Sequence, residues 1–178
     1  MKQDIILAGV GGQGILSIAY VIDNAALADG LSFKQAEVHG MAQRGGAVQS
    51  HMRLSKGAIW SDLIPKGEAD MVLSVEPLEA LRYLDYLRPD GIVVTSSTPF
   101  RNIPDYPEVE AVLAAVRKAP RSVVVDAEKL AKEAGTVKAQ NIVLLGAAAP
   151  SLILAEASLL RTIEDLFRGR GPTVLDAN

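Results

Sequence analysis

The chain predicts a three-layer α/β fold with a mostly parallel sheet and one antiparallel hairpin, and three observations carry that expectation. Short, continuous apolar runs alternate with stretches of helical periodicity. A glycine-rich turn joins the first apolar run to the first helical stretch. Aromatic residues make up only 4%, so the layers must pack closely through Ala, Val, Ile and Leu. At 178 residues, one domain spanning 1–178 can bury a substantial core.

Residues 4–8 are short and wholly apolar after Asp4, as a fully buried parallel strand requires. From Gly12 the spacing turns helical: Ile15, Ala19, Ile22 and Ala26 share a face, and Asp29-Gly30 stops the run. Residues 31–38 form a second strand, weakened by Lys34 and Gln35. After a loop at 40–46, residues 47–54 alternate, with Val48, Ser50, Met52 and Leu54 on one side and Gln49, His51 and Arg53 on the other. Lys56-Gly57 reads as a turn and residues 58–63 as the returning strand of the hairpin. Residues 69–75 form another buried strand. Pro77 then suits the first turn of a helix that runs to about Leu87 and stops before the turn signal Pro89-Asp90-Gly91. Residues 91–95 are strand. Residues 96–107, with Pro99, Pro104 and Pro107, form an irregular segment long enough to lie over a binding surface or an edge. Helix is expected at 108–118, strand at 122–126, a short helix at 127–133 ending at Gly135, a buried helix at 141–149 and an amphipathic helix at 158–168. No closing element is evident from Gly171 onward, and no internal repeat or low-complexity tract occurs.

Composition excludes several functions. A net charge of −3 argues against non-specific nucleic-acid binding. No apolar run reaches the ~20 residues that span a bilayer, and Met1-Lys2-Gln3-Asp4 does not open a secretory signal. A cytoplasmic location with no membrane partner is expected. The chain has no cysteine, which excludes disulfides, a thiolate zinc site, a cysteine nucleophile and a thiolate-held iron–sulfur cluster.

Two stretches stand out. Gly9-Val10-Gly11-Gly12-Gln13-Gly14 fits G-x-G-x-x-G between a strand and a helix. Its glycines permit left-handed backbone and close approach, and the N–H groups of the first helical turn favour an anion. A dinucleotide phosphate, a coenzyme A phosphate or a partner's backbone all suit such a loop, as does a tight turn that binds nothing. Glu37 stands about where a ribose-binding acid would be sought. The second stretch is His39-Gly40-Met41-Ala42-Gln43-Arg44-Gly45-Gly46. An arginine fork beside two glycines matches a carboxylate or phosphate, either of a ligand or of a partner subunit. Glu37, His39 and His51 are the only nearby candidates for a metal, too few to predict one; metal ligands are none. Glu79 in a first helical turn complements the helix dipole, and Asn141 is placed as an N-cap.

These stretches, with Glu76-Pro77-Leu78-Glu79-Ala80 and Asn141-Ile142-Val143-Leu144-Leu145-Gly146, make the chain resemble the gamma-type domain of 2-oxoacid:ferredoxin oxidoreductases over nearly its whole length. The His39–Gly46 string resembles most nearly the beta subunit of the indolepyruvate-type branch. The resemblance implies a Rossmann-like fold and a two-subunit enzyme that oxidatively decarboxylates aryl pyruvates with coenzyme A, giving an aryl-acetyl-CoA, CO₂ and reduced ferredoxin. It implies that thiamine diphosphate and the iron–sulfur clusters belong to a large cysteine-rich partner subunit, that ferredoxin is met through the complex, and that this chain alone binds no cofactor. It further implies one loop of Gly9, Gly11, Gly12, Gln13 and Gly14 and a second of His39, Gln43, Arg44, Gly45 and Gly46, both facing ligand or partner. No catalytic acid or base is assigned to the chain. Two rivals remain: a free-standing NAD(P)-dependent oxidoreductase and a subunit that binds no ligand.

Overall fold

The computed structural model describes residues 1–39, 45–101 and 103–178, with His39 described by its backbone. Six strands form one sheet in the order β2-β3-β1-β4-β5-β6. They are β1 (Lys2–Val10), β2 (Ser32–His39), β3 (Ala47–Ser55), β4 (Ala69–Ser74), β5 (Leu87–Ser96) and β6 (Arg121–Val125). Strands β1, β4, β5 and β6 pair in parallel, whereas β3 is antiparallel to both β1 and β2. The helices are α1 (Ile15–Ala28), α2 (Pro77–Arg82), α3 (Val109–Val116), α4 (Ala127–Glu133), α5 (Gln140–Ala148), α6 (Glu156–Phe167) and α7 (Pro172–Ala177).

Period-two alternation along the strands separates two cores. Ile5, Leu7, Met71, Leu73, Ile92 and Val94 face α1, α5 and α6, while Ile6, Val72 and Val93 face Ala80 of α2 and Val116 of α3. The three-layer expectation holds. None of the described helices is long and apolar enough to cross a membrane.

Three local expectations are corrected. First, residues 58–63 form no strand, and the antiparallel partner of β3 in the hairpin is β2. Strand β3 already pairs on both edges, with β1 and with β2. Its side chains instead catch the backbone of the following segment: Arg53 Nη1 donates to the carbonyls of Ser61 (3.1 Å) and Leu63 (3.0 Å), and Ile64 N–H donates to His51 Nδ1 (3.0 Å). Burial, then the charge of Arg53, lowers the His51 pKa, which suits a neutral acceptor ring. Second, Pro89-Asp90-Gly91 is no turn. The helix ends at Arg82, and β5 begins at Leu87 with these residues as an irregularity, Ala69 pairing Leu87 and Met71 pairing Ile92. Third, the chain does close with an element, α7, opened by Pro172 at its first position.

Candidate functional site

The glycine loop is folded by its own polar groups. Gln13 N–H donates to the Val10 carbonyl (3.1 Å), and Gln13 Oε1 accepts from Val10 N–H (2.8 Å). Gly14 caps α1 in the left-handed region (φ +80°) with no side-chain cap, and Gly12 also has positive φ (+100°). The loop's bonds consume the N–H groups of Gly11 and Gln13, and those of Gly12 and Gly14 have no partner among the described residues.

Asn141 is not an N-cap. Ala139 takes that position, and Asn141 lies inside the first turn of α5, where its Nδ2 donates to the Gly14 carbonyl (3.1 Å). The reason is proximity: the start of α5 abuts the start of α1, so the buried amide crosses between them. A Cβ on Gly14 would lie 2.6 Å from Asn141 Nδ2.

The structure brings the two singled-out stretches together. Beyond the last β1–β3 pair, Val10 with Ala47, Gly11 N–H donates to the Gly46 carbonyl (2.8 Å), and Gly45 N–H donates to the Gly11 carbonyl (3.3 Å). Gly9, Gly11, Gly12, Gln13, Gly14, Gly45 and Gly46 therefore occupy one place. His39 ends β2 opposite Val48; Gln43 and Arg44 lie outside the described residues.

Glu37 does not serve as the ribose acid of a dinucleotide fold. It sits on β2, and β3 intervenes between β2 and β1. His51 cannot join Glu37 around a metal either: Glu37 pairs with Ser50 and His51 with Ala36, so they project from opposite faces of the sheet.

A cleft of about 720 Å³ opens at the carboxyl end of the sheet, beside the glycine loop. It lies where β1 sends its connection to the α1 face and the neighbouring parallel strand β4 sends its own to the α2 face. Reversal of that kind opens a crevice in an α/β sheet. Gly12, Gly14 and Ser17 form one wall, and Lys138, Gln140 and Asn141 another. The end of α6 and α7 close the third, bringing Phe167, Arg170 and Thr173. Among the described residues no acidic side chain lines it, and two cations do. Arg170 is seated over the Phe167 ring (5.2 Å), and neither cation takes part in an ion pair among the described residues. N–H groups without a partner among the described residues, two helix starts and two cations are the chemistry that suits an anion. Sequence reasoning missed Lys138 and Arg170 because neither belongs to a motif; they meet only through the folding of α5 and α6.

Phe100 and Tyr106 of the 96–107 segment reach Glu76, just past the carboxyl end of β4. Glu76, 1% exposed at the end of β4, accepts from Glu79 N–H (2.8 Å), Phe100 N–H (3.3 Å) and the Tyr106 hydroxyl. Phe100 thereby reaches the cleft. Burial, and then the bond to Glu76, raises the Tyr106 pKa. Glu79 is buried with Arg82 on its Oε1 (3.0 Å), and burial raises its pKa; it holds the helix rather than facing the cleft.

Residues 4–178 match the family model described as pyruvate ferredoxin/flavodoxin oxidoreductase. The chain is 39% identical over 153 residues to indolepyruvate oxidoreductase subunit IorB of Archaeoglobus fulgidus, covering 82% of this chain and 75% of that protein. It is 41% identical over 156 residues to the subunit of the same name from Pyrococcus horikoshii, covering 83% and 77%. Its fold is similar to part of the 2-oxoglutarate:ferredoxin oxidoreductase of Magnetococcus marinus, solved with 2-oxoglutarate, coenzyme A and succinyl-CoA. There the TM-score is 0.76 at 21% identity, over 99% of this chain and 29% of that one.

Proposed function

The chain belongs to the pyruvate ferredoxin/flavodoxin oxidoreductase family as the small subunit of a ferredoxin-dependent 2-oxoacid oxidoreductase, and from that premise we propose that it serves an indolepyruvate-type enzyme and receives coenzyme A. The carrying observation is the cleft, where Gly12 and Gly14, whose N–H groups have no partner among the described residues, share the lining with Lys138 and Arg170 and with no described acidic side chain. Coenzyme A is an anion through its phosphates, and its long arm suits a cleft of this size. In the related Archaeoglobus and Pyrococcus proteins the substrate named is indolepyruvate; for this chain an aryl pyruvate is the corresponding 2-oxoacid.

The loops at Gly9–Gly14 and His39–Gly46 are proposed to face this ligand and the partner subunit. Thiamine diphosphate and the iron–sulfur clusters are assigned to the larger partner, where the first supplies decarboxylation of the oxoacid and the second its electrons' exit to ferredoxin. The donor chemistry here supports that division. A chain without cysteine has no thiolate for a cluster, and the described lining offers no carboxylate side chain to the divalent cation a diphosphate cofactor brings. The work left to this chain is electrostatic and positional. The glycine N–H groups and two cations hold phosphates, and Asn141 fixes the Gly14 carbonyl so that the neighbouring amides stay turned to the cleft.

Two experiments test the proposal. Purified alone, the chain is expected to turn over no aryl pyruvate, and to support turnover on mixing with its large subunit; activity of the isolated chain overturns it. In the assembled enzyme, Lys138→Ala with Arg170→Ala is expected to raise the KM for coenzyme A about tenfold or more, since each 1.4 kcal/mol of lost charge-assisted binding is worth a factor of ten. The KM for the oxoacid should stay as it was. An unchanged coenzyme A constant would instead favour a subunit that only shapes the complex.

A further inference from the structure

The cleft has an aromatic wall that its anion chemistry leaves unused. Phe100 and Phe167 both line it. Phe167 is 6% exposed, and Arg170 sits over its ring. Phe100 is 44% exposed, and no ring or cation pairs with it among the described residues. Val137, beside Lys138 in the lining, is exposed as well. A large ring open on the wall of a cleft offers a flat apolar partner both burial and a π-face.

The ring is open, yet its backbone is held on both sides. Ser97 N–H donates to the Val125 carbonyl at the end of β6 (2.8 Å), and Thr98 N–H donates to Ser96 Oγ (3.0 Å). Phe100 N–H donates to Glu76 Oε1 (3.3 Å), and the Tyr106 hydroxyl donates to the same oxygen. Glu76 Oε2 is engaged separately, by Glu79 N–H (2.8 Å) at the start of α2. Capping the helix therefore occupies one oxygen, and the other serves Phe100 and Tyr106. A carboxyl group only 1% exposed is costly to bury unless its oxygens are bonded. Here the bonds that satisfy it fix where the Phe100 ring stands and leave the ring uncovered.

We infer that Phe100 is a stacking platform for the flat heterocycle of the cleft's ligand, and that Glu76 and Tyr106 are positioning residues for that platform. The inference rests on the coenzyme A reading and deepens it. Gly12, Gly14, Lys138 and Arg170 answer the phosphates, and Phe100 answers the adenine. The division follows from chemistry. Cations and amides hold phosphate oxygens by charge, whereas a neutral base is held through its π-face, which an open aromatic ring accepts by stacking.

In the assembled enzyme, the quantity to measure is the preference for coenzyme A over phosphopantetheine, as a ratio of kcat/KM values. The shorter thiol carries the same reacting end without the adenosine. Phe100→Leu is expected to lower the ratio about tenfold, because stacking on the base is lost. Phe100→Tyr should retain it. Tyr106→Phe removes only the hydroxyl bonded to Glu76 and should lower the ratio about threefold, as the ring is less firmly placed. A merely structural role would cut both thiols alike and leave the ratio unmoved. An unmoved ratio in Phe100→Leu overturns the platform, and an unmoved ratio in Tyr106→Phe alone overturns the positioning role. The Lys138→Ala, Arg170→Ala enzyme separates this failure from that of the ligand reading. If its KM for coenzyme A still rises, the platform alone is wrong; if that constant also stays put, the coenzyme A reading falls and the platform with it.

Discussion

Gly14→Ala is expected to destabilise the chain by about 2–4 kcal/mol and to cripple the cleft. Two separate costs add. At φ +80° an alanine sits in left-handed backbone, which costs about 1–2 kcal/mol on its own. Its Cβ would also stand 2.6 Å from Asn141 Nδ2 and 3.1 Å from Asn141 Cγ. Asn141 is buried and committed to the Gly14 carbonyl, so it can yield only by giving up that hydrogen bond. The two costs are separable by design. Gly12→Ala also meets positive φ (+100°) but has nothing within 4 Å of the new carbon, so it reports strain alone. Adding Asn141→Ala to Gly14→Ala removes the collision and leaves the strain. Denaturant midpoints should therefore rank wild type above Gly12→Ala and Gly12→Ala above Gly14→Ala. Coenzyme A binding by the assembled enzyme should fail most in Gly14→Ala. A Gly14→Ala chain as stable as the wild type would show that the loop is not held as described.

Why the sequence revealed this loop and not its surroundings is a matter of range. The run from Asp4 to Gly14 is local: a buried strand, a turn that needs glycine and a helix start, each specified by its own residues. The same holds for α4, whose predicted bounds 127–133 are those observed. The irregular segment after β5 was legible too, because three prolines exclude a strand or helix there. The hairpin was half legible. Alternation identified β3 and even its polar face, but its partner depended on which sheet edge was vacant, and alternation says nothing about that. Pro89-Asp90-Gly91 carries every mark of a turn, yet its place opposite β4 turned it into an irregularity within β5. The cleft's far wall was not legible at all. Lys138 and Arg170 stand 32 positions apart in sequence and converge only because α5 and α6 fold against α1.

Arg53 shows the same long-range logic in energetic form, and its removal should carry the other large penalty. Asp4 is fully buried in β1, and Arg53 on β3 stands directly opposite. The guanidinium forks onto the carboxylate, Nε to Oδ1 at 2.9 Å and Nη2 to Oδ2 at 3.0 Å, while Nη1 holds the carbonyls of Ser61 and Leu63. Breaking a buried pair by deleting one partner costs about 3–5 kcal/mol, because the other charge is stranded. Lys2 still reaches Asp4 Oδ2 at 2.8 Å, but its side chain is half exposed and makes a weaker substitute. Arg53→Met is therefore expected near the lower bound, about 3 kcal/mol, read as a shift in denaturant midpoint. Arg53→Lys should recover only part of that loss, since an ammonium cannot fork and cannot also span to the 61–63 carbonyls. Asp4→Asn combined with Arg53→Met should recover more, because no charge is then left buried without its partner. Trp60, the single tryptophan, lies on the segment that Arg53 restrains. Its fluorescence anisotropy should drop in Arg53→Met at denaturant concentrations where the chain is still folded. If the midpoint moved by less than about 1 kcal/mol and the anisotropy not at all, the pair would belong with ordinary surface bridges, and the segment after β3 would owe its shape to something other than Arg53.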